Sequence, residues 1–132
     1  MEEKRSLSDQ LEERLIEFAS RIVSFATDLP RTLAGRHIAL QILRSGTAAA
    51  PNYAEARGAE SRADFIHKLG IVQKELNETC VWLRIVARIN LGKHDLIVAL
   101  LQENVELAKI ITASIRTTKT RIQAAPKTTI EH

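Results

Sequence analysis

With one cysteine, Cys80, the chain cannot close an internal disulfide, and a covalently stapled fold is excluded. Cys80 sits within an apolar helical pattern, where it reads as a small buried hydrophobe in a protein of a reducing compartment. Aromatic residues make up only 4% of the sequence, glycine and proline number five and three, and β-branched residues nowhere alternate with polar ones. Strands therefore have no foothold. No run approaches the ~18 apolar residues of a membrane-spanning helix. The start, "MEEKRSLSDQLEERL", is acidic and lacks the apolar stretch of a secretory signal. Neither sign of charge dominates: 19 Lys and Arg stand against 16 Asp and Glu, a net charge of +3. The expectation is a single cytoplasmic domain with no membrane attachment.

What the chain has in abundance is helical periodicity. Leu11, Leu15, Phe18, Ile22, Phe25 and Leu29 step by four and three, which places them along one side of a helix. Ser6 and Asp9 form a plausible capping box before it, and Leu29-Pro30 marks its end. A second segment begins near Pro30, in its first turn, and runs through Leu33, Ile38, Leu43, Thr47, Ala50 and Ala54 to Gly58. The third carries the most regular stripe, Phe65, Leu69, Val72, Leu76, Thr79, Leu83 and Val86, with Ser61 and Asp64 at its start and Gly92 as its stop. Asp95 caps a fourth, with Ile97, Leu101, Ala108, Ile111, Ile115 and Ile122 on its inner face. Four such helices with short connections give an all-α, antiparallel up-down-up-down four-helix bundle. The expected helices cover about 7–28, 31–58, 62–90 and 95–121, within a bundle domain 1–122, followed by a loose tail at 123–132.

One stretch departs from this regularity. "LRSGTAAAPNYAEARG" gathers small residues over more than a helical turn and then Pro51, which lacks an N–H and whose ring crowds the carbonyl four residues back. Either one helix is kinked near Pro51 or two helices break there; the kinked helix is preferred because Tyr53 to Ala56 remain helix-compatible. Ser45, Gly46 and Ala48 to Ala50 allow a neighbouring backbone to approach closely.

Leu40, Gln41, Leu43, Arg44 and Ser45, then Asn52, Tyr53, Glu55 and Ala56, then Phe65, Lys68, Leu69, Lys74, Glu75, Glu78, Thr79, Trp82 and Leu83 stand in an order and spacing that carry a resemblance. The sequence over about residues 8–122 resembles the four-helix bundle proteins encoded in intervening sequences of bacterial 23S rRNA genes, with their free-standing relatives. The resemblance implies a ring-like homopentamer. It also implies kinship with the accessory proteins of diversity-generating retroelements, basic pentamers that bind nucleic acid and a reverse transcriptase.

Catalytic constellations are missing. A di-iron bundle needs Glu-x-x-His, which does not occur, and His37, His67, His94 and His132 show no ligand spacing. Ser45, Thr47 and Cys80 have no His and acid placed by a motif, and Gly46 and Gly58 stand outside any phosphate-loop signature. Neither enzyme activity nor a metal or other cofactor is expected. Ser45, Asn52, Tyr53, Glu55, Glu75, Glu78 and Trp82 read as structural or interface residues between the second and third helices or between subunits. Apolar residues beyond one stripe, such as Ile16, Val23, Ile66, Ile71 and Leu100, point to a second buried face and self-association.

The remaining candidate surface is basic. Residues 1–30 hold four basic and seven acidic side chains, and the rest of the chain fifteen and nine. Arg36, Arg44, Arg57, Arg62, Arg84 and Arg88, beside Lys68 and Lys74, come from the second and third helices; Lys109, Arg116, Lys119 and Arg121 come from the fourth. Rows of this kind suit the phosphate backbone of rRNA or another nucleic acid, bound independently of sequence. The competing expectations are a protein-interaction scaffold with no nucleic-acid role and an accessory subunit of a reverse transcriptase.

Overall fold

The computed structural model describes residues 5–124. Five helical segments follow one another: α1 (Leu7–Thr27), α2 (Leu33–Gly46), α3 (Ala49–Arg57), α4 (Arg62–Arg88) and α5 (His94–Ala124). Among the described residues there is no strand. α2 and α3 together make one arm of the bundle. α1 packs on α2, α3 and α5, and α4 packs on α2, α3 and α5, so each arm neighbours the next and α5 closes the ring against α1. The architecture is the all-α four-helix bundle expected from the periodicity.

Local chemistry sets the ends. At the start of α1, Ser6 Oγ accepts from the Asp9 N–H at 3.0 Å while Asp9 Oδ2 accepts from the Ser6 N–H at 3.3 Å, a reciprocal capping box. Ser61 caps α4 in the same sense, accepting from the Asp64 N–H. The second arm starts later than its sequence indicates. Thr32 is its cap, accepting from the Gly35 N–H at 3.1 Å, and Pro30 lies before the helix rather than in its first turn. Gly35 is required there, because a Cβ would collide with the Pro30 carbonyl. α4 stops at Arg88 because Asn90 and Gly92 both take positive φ, 55° and 80°. That turn sits over the end of α1: a Cβ on Gly92 would lie 3.1 Å from the Phe25 ring and 3.2 Å from Leu29.

The second arm is interrupted at Thr47–Ala48, three to four residues before Pro51, with both residues still in the right-handed helical region. The Ala48 carbonyl accepts from both the Asn52 N–H, at 3.2 Å, and Asn52 Nδ2, at 2.8 Å. Gly46, just before the interruption, packs directly against Ile22 of α1. A Cβ at Gly46 would fall 2.7 Å from Ile22 Cγ2.

The core follows the first and third stripes. Leu11, Leu15, Phe18, Ile22, Phe25 and Leu29 are buried, as are Leu69, Val72, Leu76, Leu83 and Val86. Each such side chain contributes about 1.5–3 kcal/mol relative to exposure. α5 is rotated from its expected face. Its buried residues are Ile97, Leu100, Asn104, Leu107, Ile111 and Thr118, while Leu101, Ala108 and Ile115 are half-buried and Ile122 is 41% exposed. Aliphatic residues surround α5 on most sides, so two stripes fit the sequence, and the polar Asn104 disguises the one that packs. On the second arm, Leu33 is also turned outward.

Candidate nucleic-acid interface

Four polar residues lie buried among the apolar ones: Ser45, Thr79, Asn104 and Thr118. Ser45 Oγ donates to the Gln41 carbonyl at 3.1 Å, and Thr79 Oγ1 contacts both Ser45 Oγ at 2.9 Å and the Glu75 carbonyl at 2.8 Å. The two hydroxyl protons are shared among these three contacts, two of which are hydrogen bonds at any moment, and the chain links α4 to α2. Thr118 donates to the Ser114 carbonyl at 2.8 Å. Asn104 differs: its Nδ2 is buried and has no hydrogen-bond partner. Leaving such a donor unpaired costs about 1–3 kcal/mol.

Several of the basic residues are committed to ion pairs within the chain. Arg44 on α2 pairs with Glu78 and, at 3.6 Å, with Glu75, both on α4; Glu75 Oε2 is buried, and at that length the contact is electrostatic rather than a hydrogen bond. Arg57 on α3 donates to Asp9 at 2.8 Å and Glu12 at 3.4 Å on α1. The Arg57 hydrogen bond, helped by Ser6, holds the Asp9 carboxyl below its ordinary value, and Asp9 in turn raises Arg57. Arg14, which the charge pattern did not single out, donates from Nε and Nη2 to the two oxygens of Glu103 at 3.2 and 2.6 Å and is itself raised by that pairing. These contacts fasten α1 and α2 to their neighbours. They also remove Arg44 and Arg57 from the set of free cations, because each already faces two carboxylates.

The rest are distributed unevenly. Arg62 Nη1 reaches the Arg121 carbonyl at 3.4 Å, and both line a groove at one end of the bundle that includes Glu60. Arg36 is exposed on α2, and Arg84 and Arg88 are exposed on α4. Lys109, Arg116 and Lys119 come together. They line two adjoining grooves, ≈ 450 and ≈ 440 Å³, that share Thr112 and Arg116 along the outer junction of α4 and α5. Among the described residues, no Asp or Glu lines either one. α4 supplies Gln73, Asn77 and Cys80 to the opposite wall, and Gln73 Nε2 donates to Thr112 Oγ1 at 2.8 Å across it. None of the three cations forms an ion pair among the described residues.

The remaining candidates stay with the scaffold. Asn52 bonds within its own arm, Tyr53 is buried, and Glu55 is exposed. Trp82 is partly buried against the core and meets His37 edge-on, with ring centroids 5.8 Å apart. Sequence reasoning missed Asn104, which lines the α4–α5 groove from beneath. Its signal was the spacing Ile97, Leu100, Asn104, Leu107, Ile111, a core stripe with one amide in it. Among the described residues, no group of three or more His, Cys, Asp or Glu could hold a metal ion, and no helix is long and apolar enough to cross a membrane.

A search of curated proteins finds no match. Among solved structures, the chain is similar to a protein of unknown function from the S23 ribosomal protein family of Bacteroides thetaiotaomicron VPI-5482. The two share 34% identity with a TM-score of 0.72, over 83% of this chain and 97% of the other. The model of the family described as "23S rRNA-intervening sequence protein" matches residues 8–113. That span takes in α1 from its second residue, all of α2 to α4 and most of α5, and the chain belongs to this family.

Proposed function

We propose that this protein is a non-enzymatic, cytoplasmic bacterial bundle protein that binds the phosphate backbone of RNA or DNA along the α4–α5 groove. The observation that carries the reading is the convergence of Lys109, Arg116 and Lys119 on a pair of grooves with no acidic residue among the described ones that line them. Three cations in one trough, with no ion pair among the described residues, form a phosphate-binding surface without sequence specificity, and their attraction is weakened by salt. Membership of a family described by an rRNA-gene location agrees with an RNA target.

Self-association belongs to the same reading, with a homopentamer as the favoured assembly. Its support is the outer face of α2, where Leu33 and Leu40 stand one heptad apart at 84% and 64% exposure. Repetition of the groove around a ring multiplies a weak site into useful avidity. The same apolar face also suits docking onto another protein, such as a reverse transcriptase, and that is the second reading.

The test is fluorescence anisotropy with structured RNA and with duplex DNA at ~50 and ~300 mM salt, beside light scattering of the assembly. Binding that weakens steeply with salt is expected. Lys109→Glu/Arg116→Glu/Lys119→Glu should lower affinity at least about tenfold and flatten the salt dependence. Absence of binding at the lower salt overturns the nucleic-acid reading.

A further inference from the structure

A single strand and a duplex ask different things of a protein surface. A flexible strand exposes its bases, and proteins that hold it set aromatic side chains beneath them, whereas a duplex hides its bases and presents two backbones with their phosphates in place. Three Phe, one Tyr and one Trp are the whole aromatic complement of this chain, and the fold accounts for each. Phe18, Phe25 and Tyr53 are buried, and Phe65 and Trp82 are partly buried against the core. Phe65 reaches the end groove that also contains Glu60, and Trp82 turns towards His37 of α2. Among the described residues, no aromatic ring lines the α4–α5 grooves.

The cations, in contrast, stand in a long row. Lys109, Arg116 and Lys119 occupy the α5 wall. On the α4 wall Cys80 lines the groove, and the exposed Arg84 and Arg88 follow it in steps of four, which carries the row onward along the same face. The contact of Gln73 with Thr112 fixes the register of the two antiparallel helices, so Arg88 and Lys119 stand roughly 33 Å apart along the bundle. One turn of a duplex is about 34–36 Å. Glu106, the acid nearest Lys109 in sequence, lines neither groove and acts instead on Arg14 of α1.

We propose that the α4–α5 face binds double-stranded nucleic acid and discriminates against single strands, with Lys119, Arg116 and Lys109 at one end of the row and Arg84 and Arg88 at the other meeting backbone phosphates over about one helical turn. The inference rests on the nucleic-acid reading and narrows it to one class of target. Stiff helices hold their cations at fixed spacings, which a duplex meets without being ordered first. A single strand has to straighten, and this face offers its bases no ring to stack on. RNA and DNA duplexes share the chemistry, and the experiment separates them.

The full chain is titrated by fluorescence anisotropy at ~50 mM salt with an RNA duplex of roughly two turns, a DNA duplex of equal length, and the separate strands of each, in sequences that do not fold on themselves. The emission of Trp82, the only tryptophan, is followed in parallel. Duplexes are expected to bind at least about tenfold more tightly than their strands, because each phosphate contact releases more counterion from a duplex. Trp82 emission should stay unchanged. A preference for one duplex over the other keeps the inference and names the source. Arg84→Glu/Arg88→Glu should weaken duplex binding at least about tenfold, by turning two contacts of the row into repulsions. Single strands that bind as tightly as duplexes, or that quench Trp82, overturn this inference and leave the backbone reading intact. Duplex affinity unchanged in Arg84→Glu/Arg88→Glu, with binding abolished in Lys109→Glu/Arg116→Glu/Lys119→Glu, overturns the one-turn row. Absence of binding to either form overturns both readings. The titration of the parent protein decides between duplex and strand even where a variant fails to fold.

Discussion

Thr79 on α4 and Ser45 on α2 meet hydroxyl to hydroxyl at 2.9 Å, and neither side chain is exposed to solvent. The contact ties two arms of the bundle through polar atoms in an otherwise aliphatic layer. Thr79→Val and Ser45→Ala should each destabilise the fold by about 1 kcal/mol, since each removes one partner of a buried bond. The double variant should lose less than the sum, because the contact between the two hydroxyls can be lost only once. Urea denaturation of the four proteins measures the coupling, and strict additivity would show that the two hydroxyls do not interact.

Gly46 sets how near α2 can come to α1. Gly46→Ala should destabilise by about 1–3 kcal/mol, the usual penalty for overpacking a filled core. The crowded atoms belong to Ile22. Adding Ile22→Ala should therefore recover part of the space, so that the pair is less unstable than the two single changes summed. Thermal unfolding of the set checks this.

The Asp9–Arg57 pair gives a pH signature. Arg57 holds the folded pKa of Asp9 below the ordinary 3.8, so the pair's stabilising effect is complete above that value. It is lost as pH falls through the lower, folded pKa, where the carboxylate takes up a proton. Carbon-13 detection of the Asp9 carboxyl should show titration below 3.8 in the parent and an upward move in Arg57→Ala. A carboxyl indifferent to Arg57→Ala would show that the pair does not persist in solution.

Gly70 lies in the middle of α4, and a Cβ there would meet nothing within 4 Å. No intramolecular packing calls for it. Gly70→Ala should stabilise the isolated chain by about 0.5–1 kcal/mol through helix propensity. Chemical denaturation at low protein concentration measures it, and a loss of stability would reveal that another surface approaches this position.

The bundle was legible because two of its arms, α1 and α4, carry unambiguous stripes. Phe18, Ile22, Leu76 and Leu83 have no alternative face to choose, and the caps at Ser6 and Ser61 are short-range chemistry written in adjacent letters. α5 was harder to read, since Leu100, Leu101, Leu107 and Ala108 allow two rotations and only packing selects one. The basic residues were visible as a list but not as a site. Arg44 and Arg57 look no different in sequence from Lys109 and Arg116, and what separates them is which carboxylates the fold brings alongside. Thirty or more residues separate Arg44 from Glu75 and Glu78, and Arg57 from Asp9 and Glu12, so periodicity has no means of pairing them. The tail expected from 123 onward lies, beyond Ala124, outside the described residues.

The interruption at Thr47–Ala48 bears on how the molecule assembles. Segments of 14 and 9 residues are at or below the length at which a helix persists alone in water, whereas α1, α4 and α5 run to 21, 27 and 31. The second arm therefore acquires its helicity by docking, with Ile22 waiting for Gly46 and Thr79 for Ser45. Three long helices can begin to form in the nascent polypeptide from their own residues. The divided arm, although second in the chain, is templated by its neighbours and takes shape only when α4, downstream of it, has been made.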